Sequence, residues 1–91
     1  MITSRTKRRI KHELANEKPT IWIGKEGTTA QIIKETDKQL ELREMVKIRI
    51  LKTALKDEEA KNLSLKVAEQ TGAILVEVRG HTFMLYRHRK R

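Results

Sequence analysis

This 91-residue chain has no cysteine, which excludes a disulfide scaffold, a thiolate metal site and a cysteine nucleophile. No apolar run approaches the roughly 20 residues of a membrane-spanning helix. The basic N-terminal stretch lacks the apolar block of a secretory signal. Aromatic rings are scarce: Trp22, Phe83 and Tyr86 are the whole set. The three histidines, His12, His81 and His88, lie far apart in sequence, with no carboxylate spacing that suggests a metal. No Ser/His/Asp set is apparent. The acidic run Asp57, Glu58 and Glu59 sits at a helix start, where the dipole favours acids without any chemistry. The sequence therefore predicts neither an enzyme nor a cofactor, and no membrane partner.

What the chain does have is charge: 36% of its residues are charged, and the net charge is +9. The excess is segregated. Residues 1–11 carry five bases and residues 87–91 carry four, with no acid at either end. Between them, twelve bases and twelve acids cancel. Scattered lysines would mean a solvated surface; an excess gathered at the ends favours a polyanion-binding surface.

The stretch Thr20-Ile21-Trp22-Ile23-Gly24-Lys25-Glu26-Gly27-Thr28-Thr29 organises the rest. Ile21, Trp22 and Ile23 are strand formers just after Pro19, which ends any preceding helix. Gly24 and Gly27 bound a loop and supply backbone freedom. Thr28 is the expected N-cap of a helix, with Gln31 completing a capping box. Free amide N–H groups at a positive helix end favour an anion such as phosphate.

Taken in order, residues 3–16 read as a helix with a narrow apolar stripe, Ile10 and Leu14, and basic residues around it. Residues 20–23 form a strand. Residues 28–42 form a helix with Ile32, Ile33, Thr36 and Leu40 inward. Residues 45–52 alternate cleanly, placing Val46, Ile48 and Ile50 on one face and Lys47 and Arg49 on the other. Residues 57–71 form a third helix, ended by Gly72. Residues 73–79 and 82–88 form a hairpin around Gly80-His81, with a type II′ turn. A two-residue loop pairs Val78 with Phe83 and Val76 with Leu85, all facing the helices. Leu75, Glu77, Met84 and Tyr86 then share the opposite, open face with Lys47 and Arg49. The class is α/β, close to α+β, in the order α-β-α-β-α-β-β. It implies a four-stranded mixed sheet with helices mainly on one face. The first helix is expected at the rim or on that same face.

Four segments in this order resemble one family. They are Ile23-Gly24-Lys25-Glu26-Gly27-Thr28-Thr29, Glu44-Met45-Val46-Lys47-Ile48-Arg49-Ile50, Thr71-Gly72-Ala73, and Gly80 followed by Met84-Leu85-Tyr86-Arg87. Together they are similar to the CRM domain, the chloroplast RNA splicing and ribosome maturation family, in its YhbY-like single-domain form. The resemblance spans about residues 5–87. It implies a stand-alone RNA-binding domain built like the C-terminal domain of translation initiation factor three. It also implies a G-x-x-G loop that clamps a nucleic-acid backbone, as in KH domains, and a role on ribosomal RNA or the pre-ribosomal large subunit. Glu26 departs from what a phosphate contact prefers: either it points away, or this loop grips less tightly.

The candidate RNA-binding residues are Gly24, Lys25, Glu26, Gly27 and Thr28 in the loop, and Arg5, Arg8, Arg9 and Lys11 in the first helix. Lys47 and Arg49 on the open face and Arg87 and Arg89 in the tail complete the set. Lys47 and Arg49 have a competing role, pairing with Glu77 across the sheet. Trp22 is expected as a packing anchor, Tyr86 is undecided, and Phe83 belongs to the core. The expected protein is a cytoplasmic monomer whose partner is RNA. Two alternatives are a small dimeric chromatin-type protein and an adaptor binding proteins through Leu75, Met84 and Tyr86.

Overall fold

The structure, a computed structural model, describes residues 2–55 and 58–88. Asp57 and Arg89, both named above, lie outside the described residues. Helix α1 runs Ser4–Ala15 and starts on Thr3, whose hydroxyl accepts from the Thr6 amide at 3.1 Å. Strand β1, Ile21–Ile23, follows. Helix α2, Ala30–Arg43, is capped by Thr29, which accepts from Ile32 N at 3.2 Å. The cap is thus one residue later than expected, so Gln31 closes no capping box with Thr28. Strand β2, Met45–Ile50, ends before Lys52, where one turn of 3-10 helix, Lys52–Leu55, intervenes. Helix α3, Ala60–Thr71, stops at Gly72, which takes φ 66°. Strands β3, Ile74–Arg79, and β4, Thr82–Tyr86, form the hairpin. Gly80 adopts φ 59° while His81 does not have positive φ, as a type II′ turn needs.

The four strands make one mixed sheet in the order β1-β2-β4-β3. Strand β1 lies parallel to β2; β2 and β3 are both antiparallel to β4. One face carries Ile21, Ile23, Val46, Ile48, Ile50, Phe83 and Leu85 against Leu40 of α2 and Leu63 and Val67 of α3. Ile48, Ile50 and Phe83 are fully enclosed here, and each such side chain contributes about 1.5–3 kcal/mol by leaving water. Thr36 and Ser64 are buried in the same layer. Their hydroxyls donate to Ile32 O and Ala60 O, one helical turn back, at 2.8 and 2.7 Å, so their burial leaves no polar atom unpaired.

Helix α1 does not join α2 and α3. It lies across the other face, where Ile10 and Leu14 pack on Met45, Val76 and Met84. The expected open face is therefore largely covered, which removes the apolar surface an adaptor would have used. The hairpin departs from a simple register for a related reason. A β-bulge lets Val76 and Glu77 together face Met84, while Leu75 pairs with Leu85. Val76 is thereby turned into the α1 layer and Leu75 into the α2–α3 layer, the reverse of the expected assignment. The extra residue supplies an apolar side chain that α1 needs beneath it.

Candidate nucleic-acid interface

Parallel pairing of β1 with β2, and the antiparallel return of β4, bring three features to one end of the sheet. These are the Gly24–Gly27 loop after β1, Leu51 after β2 and the Gly80-His81 turn between β3 and β4. Leu51 N donates to Ile23 O at 2.9 Å, and Ile50 N donates to His81 O at 2.6 Å. The loop is a tight turn in which Gly27 N donates to Gly24 O at 2.9 Å and Thr29 N to Gly27 O at 3.1 Å. These bonds take two donors out of use. The amides of Lys25, Glu26 and Thr28 have no partner among the described residues. Only Gly27 requires glycine geometry, at φ 72°; a Cβ on Gly24 would meet Leu51 Cδ1 at an ordinary 3.7 Å.

Lys25 and Glu26 are both exposed at the tip. On its α2 side the loop borders a groove that also holds Glu26, Gln31 and Glu35. Two carboxylates there disfavour a phosphate. On the α1 side the charge reverses. Register places Trp22, Arg49, Thr82 and Arg79 in one row across all four strands, on the same face. Lys11, His12 and Arg8 of α1 overlook the Arg79 end of that row.

Among the described residues the cations differ in use; exposed Lys18, Lys34, Lys38, Lys52 and Lys61 form no ion pair but lie off this face or away from the row. Arg5, Arg8, Arg9, Lys25 and Arg49 are exposed and form no ion pair among the described residues. Lys11 and Arg79 share one carboxylate, Glu77, at 3.7 and 3.6 Å, so that trio keeps a positive charge. Other cations are built into the fold. The Lys47 ammonium donates to Leu14 O and Glu17 O, both at 2.9 Å, and to Ala15 O at 3.5 Å. It neutralises the negative C-terminal end of α1 and makes no pair with Glu77. Arg87 donates to Asp37 Oδ1 and Thr71 O at 2.6 Å and reaches Glu41 Oε1 at 3.3 Å, tying the end of β4 to α2 and α3. Arg43 grips both carboxylate oxygens of Glu17 at 2.8 and 2.9 Å. That hydrogen bonding holds the Glu17 carboxyl below its usual range and raises Arg43, burial opposing both.

The tail also leaves from the wrong end to flank the loop. Arg87 N donates to Glu44 O at 2.9 Å, beside the start of β2, whereas the loop sits at the end of β1, which runs parallel to β2. The two basic ends therefore do not both flank the loop: α1 overlooks the Arg79 edge of the sheet, and Arg49 and Lys25 are the cations nearest the loop.

The CRS1 / YhbY (CRM) domain profile matches residues 2–87. The chain belongs to this family. Among its relatives is the Probable RNA-binding protein MJ0652 of Methanocaldococcus jannaschii, 35% identical over 89 residues, which are 98% of this chain and 66% of that protein. This chain therefore spans just under two thirds of that relative. The Probable RNA-binding protein YqeI of Bacillus subtilis is 27% identical over 90 residues, covering 99% of this chain and 92% of that one. The solution structure of protein SAV1595 from Staphylococcus aureus superposes with a TM-score of 0.78 at 34% identity, over 100% of this chain and 93% of that one.

In this CRM domain two surface residues escaped the sequence reading. Trp22 is 51% exposed rather than a packing anchor, because β1 is an edge strand and α1 packs on the other three. Arg79, though within 3.6 Å of Glu77, keeps its side chain 84% exposed. A polar residue closing a predicted hairpin beside Gly80 was the available hint.

Proposed function

We propose that this CRM-family chain is a non-enzymatic RNA-binding protein, and that its partner is ribosomal RNA in a maturing large-subunit particle. One observation carries the reading. Lys47, Arg87 and Arg43 are used by the fold, while Arg5, Arg8, Arg9, Lys25 and Arg49 keep no carboxylate partner among the described residues. Uncompensated cations facing solvent, with Lys25 and Arg49 beside a loop of unused amides and Arg8 across the same face, suit a phosphate backbone. The names of MJ0652 and YqeI support RNA as the polyanion.

In this mechanism Lys25 and the amides of Lys25, Glu26 and Thr28 hold one phosphate, and the strand passes on the α1 side of the loop, away from Glu35. The arginines of α1 hold further phosphates along its outer face. Nothing is broken or made; the protein holds one RNA segment while the rest folds. We place this action in the cytoplasm, with a monomer as the binding unit. If about six phosphates are neutralised, log affinity falls with log salt at a slope of roughly −4 to −5. Fluorescence anisotropy of labelled ribosomal RNA fragments over a salt series measures this. A salt-independent affinity would overturn the electrostatic mechanism, and crosslinking in cells that recovers no ribosomal RNA would overturn the target.

A further inference from the structure

We propose that Trp22 is a stacking platform for an unpaired base, so that the RNA taken at this site is single-stranded rather than duplex. The inference rests on the RNA-binding reading above and goes beyond it by choosing between the two forms of RNA.

Ile21 and Ile23 are enclosed, while Trp22 between them is 51% exposed on the α1 face. It has no hydrogen bond or ring partner among the described residues. A large indole left in water on an edge strand is costly to solubility and contributes little to the core. Its setting decides what would cover it. Arg49 is its register partner on β2, about 4.8 Å away across the sheet, and is also exposed and unpaired among the described residues. Lys25 lies three residues on, in the adjoining loop. One ring, with Arg49 and Lys25 to one side and the groove of Glu26, Gln31 and Glu35 to the other, is far too small an apolar patch for a protein interface, which needs about 1,000 Å² or more. It matches the face of one nucleobase, with its phosphates falling on Arg49 and Lys25. Stacking of that kind needs a base whose face is free. A base inside an A-form duplex has both faces occupied and presents only edges and backbone.

The chain's single tryptophan makes the contact directly readable. The probes are a fluorescein-labelled single-stranded RNA dodecamer, a blunt RNA duplex of equal length, and inorganic polyphosphate, at one low salt concentration. The single strand is expected to quench the indole emission; polyphosphate, a polyanion without bases, is expected to bind without quenching. Trp22→Ala and Trp22→Leu should weaken the single strand roughly tenfold or more, by anisotropy, and leave polyphosphate within twofold. Trp22→Leu keeps a strand-compatible apolar side chain, and thermal unfolding of both variants confirms the fold. If the single strand binds with no quenching and Trp22→Leu binds equally well, the platform is wrong while RNA binding stands. Duplex binding as tight as the single strand, unchanged in Trp22→Leu, also overturns it. If wild type binds neither RNA, the underlying reading falls, and the platform with it.

Discussion

Lys47 and Arg49 stand two residues apart on β2 and face the same layer, so composition alone would treat them alike. Their surroundings assign them opposite roles. Lys47→Met keeps the apolar stem and removes an ammonium held 2.9 Å from both Leu14 O and Glu17 O. Leu14 O retains the Glu17 amide at 3.1 Å, so Glu17 O loses most. A hydrogen bond from a charged group is worth about 1.5–3 kcal/mol, and favourable charge at a helix end adds about 0.3–1 kcal/mol. The expected loss is about 2–3 kcal/mol, or roughly 10–20 °C in Tm for a domain of this size. RNA affinity at a temperature where the variant is folded should be unchanged. Arg49→Gln should do the reverse: stability within about 0.5 kcal/mol, weaker RNA binding, and a salt slope shallower by about 0.7–1. Urea unfolding followed by circular dichroism gives the first quantity and anisotropy over a salt series the second. A Lys47→Met protein with native stability and weakened binding would refute the division between structural and RNA-facing cations.

Other outcomes follow from single contacts. Arg87→Met should cost about 2–4 kcal/mol through the loss of Asp37, Thr71 and Glu41 partners, with RNA affinity preserved in the folded protein. Gly27→Ala, at φ 72°, should cost about 1–2 kcal/mol, whereas Gly24→Ala should be neutral or stabilise by up to about 1 kcal/mol; equal effects would contradict the loop geometry. The folded-state pKa of Glu17 is lowered by Arg43, so its contribution is complete above its ordinary value near 4.5 and is lost as pH falls through the lowered one. The stability gap between wild type and Glu17→Gln should therefore close on acidification. A gap that widened below pH 4.5 would show the opposite sign.

Much of the fold was legible because periodicity speaks for itself. Val46, Ile48 and Ile50 alternate, Leu63 and Val67 lie one turn apart, and Gly72 and Gly80 mark where the chain must turn. What local sequence could not supply was which surface meets which. Ile10 and Leu14 announce that α1 packs, but a helix before the first strand is under no crossover rule, so its face stayed open. Much of what was misread follows from that. The bulge at Val76 makes sense only with α1 above it. Lys47 reads as an RNA contact or a partner of Glu77 until the end of α1 lies on it. Trp22 reads as core until α1 is seen to leave β1 bare. Arg87 looks like the start of a basic tail, and becomes a tie only when Asp37, 50 residues away, is brought beside it.

RNA is placed across the α1 face, from the glycine loop along the row from Trp22 to Arg79 and on to Arg8 and Lys11 of α1. Nuclear magnetic resonance of the ¹⁵N-labelled protein, titrated with a single-stranded RNA, reads this residue by residue. Shifts should concentrate at the Trp22 indole, the amides of residues 24–28, residues 8–12 and residues 79–82, leaving the outer faces of α2 and α3 still. Shifts centred instead on α3 and the Arg87 region, with a silent loop and indole, would contradict it.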